Sequence, residues 1–156
     1  MKEKIYLAYG SNMDLVQMEH RCPGARLLGK AELEGWRLLF KGSLTGSYAT
    51  IEQEEGYRVP VLVWAVSAAH EASLDRYEGF PTFYYKREIP IQNFEPFDFA
   101  APLDSEPPAA GMAYVMHEER QLGVPEPWYY DVLLRAYWLF DFDDGILKEG
   151  LDASRP

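Results

Sequence analysis

The chain is poor in cysteine, in positive charge and in long apolar runs. Cys22 is its one cysteine, so no disulfide can form within the chain and the pattern of a small secreted domain stapled by disulfides is excluded. Lys and Arg number 15 against 25 Asp and Glu, a formal charge of -10 with a pI near 4.7. Nonspecific binding to nucleic acid or to an anionic membrane rewards basic patches, so this balance argues against both and points to small molecules or basic partners. No run approaches the roughly 18 apolar residues of a membrane-spanning helix. The start MKEKIYLAYG lacks the apolar core and cleavage site of a secretory signal. With a single thiol, a soluble reducing compartment, the cytoplasm, is the expectation.

Common catalytic motifs are missing too. Neither G-x-G-x-x-G nor G-x-x-x-x-G-K-[ST] occurs, so a glycine-rich phosphate cradle is not expected. His20, His70 and His117 sit in different segments without H-x-x-x-H or H-E-x-x-H spacing, which argues against zinc. Ser11 follows Gly10 but lies in no G-x-S-x-G elbow, and no histidine is marked as its base. Cys22, in the turn-like RCPGAR, reads as a small, partly buried thiol rather than a nucleophile paired with His20.

What is present is a core. At 156 residues, 47% hydrophobic and 15% aromatic, the chain is expected to form one domain over residues 1–150, followed by a mobile polar tail at 151–156. The pattern predicts strands near 4–8, 26–32, 36–41, 48–52, 58–66, 83–92 and 111–117, and helices near 13–20, 68–77 and from Trp128 onward. The strand at 58–66 is apolar on both faces and belongs inside the sheet, with Pro60 near its beginning or at an unpaired position. On the last helix, Trp128, Val132, Leu133, Tyr137 and Phe140 recur near helical spacing. Residues 93–109, NFEPFDFAAPLDSEPPA, carry four prolines and predict a long loop, either a lid or a surface insertion.

Two segments carry chemistry. Glu78, in LDRYEGFPTFYY, falls at the end of a helix capped by Ser67 and stopped by Gly79 and Pro81. A carboxylate is disfavoured in the last helical turn, and Asp75, one turn back, adds like-charge repulsion. Tyr77, Phe80, Phe83, Tyr84 and Tyr85 flank it, and any fold that gathers them dries the carboxyl. Desolvation and like charge both raise a carboxyl pKa, which suits Glu78 to proton transfer near neutral pH. The other segment is IYLAYGSNMDL at residues 5–15, in which strand, glycine turn and helix start succeed one another. Such a turn presents backbone N–H groups suited to a carboxylate or a developing oxyanion, with Ser11 or Asn12 as the cap of a helix beginning near Met13.

AYGSN, YATI at residues 48–51, VLVWAV and LDRYEG with a tyrosine six residues after its glutamate together resemble the gamma-glutamylcyclotransferase-like (AIG2-like) family. The likeness covers residues 4–92 well and the C-terminal third loosely. It implies an α+β fold, a small mixed β-barrel with flanking helices, whose mouth takes a gamma-glutamyl small molecule without metal or organic cofactor. Members of known activity release 5-oxoproline and a free amine from a gamma-glutamyl amide. By position, Glu78 is the implied acid/base and Tyr9, Gly10, Ser11 and Asn12 the substrate-holding loop. Tyr84, with Tyr85 as its rival, matches the tyrosine after the EG motif. In PEPWYYDVL, Tyr129, with Tyr130 as its rival, matches a further pocket tyrosine.

The implied chemistry is coherent by itself. In cyclisation the substrate's own alpha-amino nitrogen attacks its gamma-carbonyl, so the protein needs a base and oxyanion donors but no nucleophile. The other readings are a related amide hydrolase or acyltransferase, and a noncatalytic module binding a small ligand or partner on the same fold. The departure from the family after residue 140 leaves the amine portion of the substrate open, as is the oligomeric state.

Overall fold

The computed structural model describes residues 3–43, 46–98 and 106–155. In chain order the elements are β1 (Lys4–Ala8), a 3-10 turn (Ser11–Met13), α1 (Leu15–Arg21), β2 (Arg26–Lys41), β3 (Tyr48–Val66) and α2 (Ala68–Glu78). There follow β4 (Tyr84–Pro90), β5 (Gln92–Pro96), β6 (Ala110–Met116), α3 (Pro127–Leu139) and α4 (Asp144–Ser154). The strands form one six-stranded sheet in the order β4-β6-β1-β3-β2-β5. β1 and β6 run parallel and every other neighbouring pair is antiparallel.

The hairpin β2–β3 organises the sheet. Its register runs from Arg26 opposite Ala65 to Lys41 opposite Tyr48, with irregularities at Leu27/Gly29 and Glu34/Trp36. The segments predicted as four short strands are therefore two long ones. The polar stretch EQEEGYR continues β3, and between the pairs Glu34/Arg58 and Trp36/Gln53 residues 54–57 of β3 lie opposite Gly35 alone, an irregularity that is taken up as a bulge. β3 lies between β1 and β2, and residues 59–66 are all buried, as a run apolar on both faces requires. Pro60 sits within the strand opposite Glu32 rather than near its start. β1 ends at Ala8 opposite Leu62, so beyond that point β3 has no β1 neighbour to which an N–H would be owed.

The α+β class and the mixed sheet are as the family resemblance implies. Closure differs: β4 and β5 are the two edges of the sheet, and no ladder joins them among the described residues. Pro90 and Pro96 end these two edge strands and lack the N–H that a closing ladder would use. The loop predicted from residue 93 gives way to β5 as far as Pro96, which pairs with β2 at Gly29, Lys30 and Glu32. The part of that loop at 99–105 lies outside the described residues.

Two C-terminal expectations are also corrected. Residues 151–154, assigned to a mobile tail, complete α4, and buried Ser154 explains why. Its hydroxyl accepts the Phe40 N–H at 2.9 Å and donates to the Gly150 carbonyl at 2.7 Å, stitching the helix end to β2. On α3 the buried side is Tyr129, Leu133, Ala136 and Tyr137. Leu133, Tyr137 and Phe140 are buried as the predicted stripe requires, whereas Trp128 is 59% exposed and Tyr129 takes the inward place in the first turn.

Candidate active site

Helix α2 is delimited as its sequence dictates. The Ser67 hydroxyl accepts the His70 N–H at 3.2 Å and the His70 ring accepts the Ser67 N–H at 3.1 Å, a reciprocal cap. Gly79 ends the helix at φ 66°, a left-handed conformation that costs glycine nothing. The last helical residue, Glu78, is thereby held against the wall of a cavity of about 180 Å³.

That cavity gathers the two segments. Its wall contains Tyr9, Gly10, Ser11 and Asn12 from the turn after β1, Glu78 from α2, Tyr84 from β4 and Tyr129 from α3. All seven sequence-selected residues share it. Tyr85 points elsewhere and donates to Glu118, because alternation along a strand sends neighbouring side chains to opposite faces. Tyr130 packs instead against Phe40, with ring centroids 6.1 Å apart. The α-helix starts at Leu15, later than expected, and a 3-10 turn precedes it. Met13 N–H bonds Gly10 O at 3.0 Å and Asp14 N–H bonds Ser11 O at 3.0 Å. The N–H groups of Ser11 and Asn12 come before the first of these bonds and have no acceptor within the turn.

Hydrogen-bond direction sorts the tyrosines into two kinds. Tyr9 donates to the Tyr114 carbonyl at 2.5 Å and Tyr84 to the Ala49 carbonyl at 2.8 Å, so both spend their proton on the backbone. Tyr129 accepts the Ala49 N–H at 3.1 Å, and Tyr6 accepts from Asn12 Nδ2 at 2.8 Å. Their hydroxyl hydrogens have no acceptor among the described residues and remain available to an oxygen placed in the cavity. A Cβ on Gly10 would lie 3.3 Å from the Tyr129 hydroxyl, so the glycine leaves room for that group.

Among the described residues, Glu78 is the one carboxylate on the wall. Burial pushes its carboxyl up to about 7, and the nearby Arg21 guanidinium pulls in the opposite direction. The like charge expected from Asp75 plays no part in this rise. Asp75 instead accepts the Tyr114 hydroxyl at 2.6 Å and pairs with Lys86 at 2.9 Å. Burial lifts Tyr6, Tyr9, Tyr84 and Tyr129 well above the ordinary tyrosine range, with the Glu78 charge adding to it, so they stay protonated at neutral pH.

Other nucleophiles are engaged or hidden. The Ser11 hydroxyl receives Arg21 Nη1 at 3.2 Å and lies 3.4 Å from the Tyr77 hydroxyl. Cys22 is buried and its thiol is pushed up to about 11. Sequence reasoning missed Arg21, Tyr6 and Tyr114 around this site, and read Tyr77 only as one of the aromatic residues flanking Glu78. The only local hint for these was that Tyr6 lies within the first segment, IYLAYGSNMDL.

The gamma-glutamyl cyclotransferase, AIG2-like family model matches residues 6–131. The chain belongs to that family. It is 34% identical over 95 residues to the gamma-glutamylcyclotransferase of Bos taurus, a stretch covering 56% of this chain and 49% of the bovine protein. The chain thus aligns with about half the length of that curated relative. Among solved structures, a gamma-glutamyl cyclotransferase superposes with TM-score 0.77 at 24% identity, covering 99% of this chain and 89% of the other. An uncharacterized protein from Homo sapiens does so at 0.77 and 25% identity, covering 100% and 90%. These likenesses span the family fold of this cyclotransferase-like protein, including the C-terminal helices that its sequence relates only loosely.

Proposed function

We propose that the protein cyclises gamma-glutamyl amides, releasing 5-oxoproline and a free amine, with Glu78 as general acid and base. The observation that carries this reading is a carboxyl poised at about 7 on the same cavity wall as the turn at residues 10–12. Family membership and the bovine relative's name support the reaction class.

In this reading the substrate's alpha-ammonium gives a proton to the Glu78 carboxylate, and the freed amine attacks the gamma-carbonyl carbon. The carbonyl oxygen becomes an oxyanion, received by the N–H groups of Ser11 and Asn12 and by the free hydroxyl hydrogen of Tyr129. Collapse breaks the bond to the departing nitrogen as Glu78 returns its proton there. The attacking nitrogen sheds two protons on becoming an amide, and both end on the departing amine, which leaves as an ammonium. No water enters the equation. A side chain near pH 7 in its proton affinity suits both halves of this exchange, as acid and as base. Tyr9 and Tyr84, locked to backbone carbonyls, serve as walls that hold the substrate folded back on itself.

The deciding experiment is 5-oxoproline release from a panel of gamma-glutamyl amines, amino acids and dipeptides, by wild type and by Glu78→Gln. Release that collapses in a folded Glu78→Gln protein is the expected result and also identifies the amine class. Glutamate as product would make the protein an amide hydrolase, and binding without turnover would make it a noncatalytic module.

A further inference from the structure

We propose that Arg21 is a positioning residue of this site, which holds the turn at residues 10–12 and the Tyr77 ring in place and keeps a positive charge beside Glu78. The proposal rests on the cyclisation reading for its consequences in turnover, but its geometry stands apart from it.

Arg21 is the last residue of α1 and is absent from the cavity wall, so it acts through others. Its Nη1 donates to Asn12 Oδ1 at 2.5 Å and to Ser11 Oγ at 3.2 Å, and its Nη2 donates to Gln17 Oε1 at 2.6 Å. The Asn12 amide is then oriented by both ends, because its Nδ2 donates to the Tyr6 hydroxyl at 2.8 Å. The guanidinium also stacks over Tyr77, with Cζ 3.5 Å from the ring centroid. From the α2 side, Ser73 Oγ–H donates to the Arg21 carbonyl at 2.6 Å. One residue therefore ties the oxyanion-side turn to the helix that carries the carboxylate.

Every hydrogen-bond partner of its guanidinium is neutral, and among the described residues no carboxylate pairs with it. Its charge is left to act on Glu78, which likewise has no ion-pair partner. The other titratable groups sharing the cavity wall with Glu78 are Tyr6 from the first strand, Tyr9 after it, Tyr48 from β3, Tyr84 from β4, Tyr129 from α3 and Tyr77 beside it. Tyr114 also lines the cavity and connects outward to the Asp75–Lys86 pair. Arg21 is the cation that acts on the Glu78 carboxyl. A planar fork satisfies Ser11, Asn12, Gln17 and the Tyr77 face together, whereas an ammonium cannot.

The test titrates the Glu78 carboxyl by carbon NMR in wild type, Arg21→Lys and Arg21→Met, alongside pH profiles of kcat/KM for 5-oxoproline release. Arg21→Met is expected to move the Glu78 midpoint and the acid limb of the profile upward together, by roughly one unit. Arg21→Lys is expected to keep the midpoint near wild type while kcat/KM falls about tenfold or more, because the fork is lost and the charge is kept. An unmoved midpoint in Arg21→Met overturns the proposal, as does wild-type kcat/KM in Arg21→Lys. If Arg21→Met does not fold, Arg21→Lys alone decides: reduced turnover with an unshifted profile supports the proposal. A wild-type protein that releases no 5-oxoproline, yet whose Glu78 midpoint still rises in Arg21→Met, overturns the cyclisation reading and upholds Arg21 beside Glu78.

Discussion

Helix α2 presents acidic residues at Glu71, Asp75 and Glu78, and the two ends of this row live in opposite surroundings. Glu71 is paired with Lys86 at 2.7 Å and with Lys4 at 3.0 Å, which holds its carboxyl below the usual range. Asp75 shares the same lysine and takes the Tyr114 hydroxyl. Glu78, one turn further on, has no such partner and is lifted to about 7 by burial. One helix thus carries a carboxylate placed to stabilise the fold and another whose ionisation opposes it. The lesson is that partners and dryness, rather than residue type or helix position, decide which carboxylate is held ionised and which is lifted toward neutrality.

The largest expected contrast is in turnover. Glu78→Gln should lower 5-oxoproline release by about a hundred- to ten-thousand-fold, the usual weight of a general acid/base. Glu71→Gln should leave kcat within a small factor of wild type. Equal losses in the two variants would erase the distinction.

Stability should separate the two with opposite signs. The folded pKa of Glu78 is raised, so its contribution is full below about 4.5 and is lost as pH rises through about 7. Glu78→Gln should therefore match wild type near pH 4 and exceed it above pH 8 by up to about 3 kcal/mol. The folded pKa of Glu71 is lowered, so its contribution is present above about 4.5 and is lost as pH falls through the folded value. Glu71→Gln should accordingly destabilise at neutral pH and lose that effect in acid. Denaturant melts of both variants across pH 4 to 8 read the signs directly.

Lys86→Met should cost about 1 to 2 kcal/mol, between the values of exposed and buried ion pairs, because it strips a partner from Glu71 and Asp75 together. The acid limb of the turnover profile should stay where it is, since Lys86 serves the structural end of the row. A shifted limb would show that the two ends are coupled. The smallest effect concerns the tyrosine pair on α3. Tyr129→Phe removes a hydroxyl whose proton is free for the substrate and should lower kcat/KM by about five- to tenfold, near 1 kcal/mol. Tyr130→Phe should change little, and a larger loss there would reverse the assignment.

Much of this was legible along the chain. Ser67, Gly79 and the alternating aromatics after Glu78 are local signals, and capping, left-handed glycine and strand alternation operate within a few residues. The core strand ending at Val66 announced its burial by carrying apolar residues on both faces. The long hairpin was not legible, because a bulge near Glu34 imitates a turn when only the sequence is seen. The α4 anchor was hidden for a similar reason: Ser154 looks like a polar tail until Phe40, 114 residues earlier, supplies its partner.

The sequence by itself determined that a carboxylate would end a capped helix among aromatic residues, and that a glycine turn would open the chain's first helical segment. Those outcomes depend on short-range sterics and backbone hydrogen bonding. Only the tertiary structure decided that the two meet, that Tyr84 and Tyr129 face them while Tyr85 and Tyr130 do not, and that Asp75 is diverted to Lys86. Arg21 likewise became part of the site only through partners brought in by folding, such as Tyr77. Burial and charge act through space, and the distances that set them are fixed by contacts between residues as far apart in the chain as Ser11 and Tyr77.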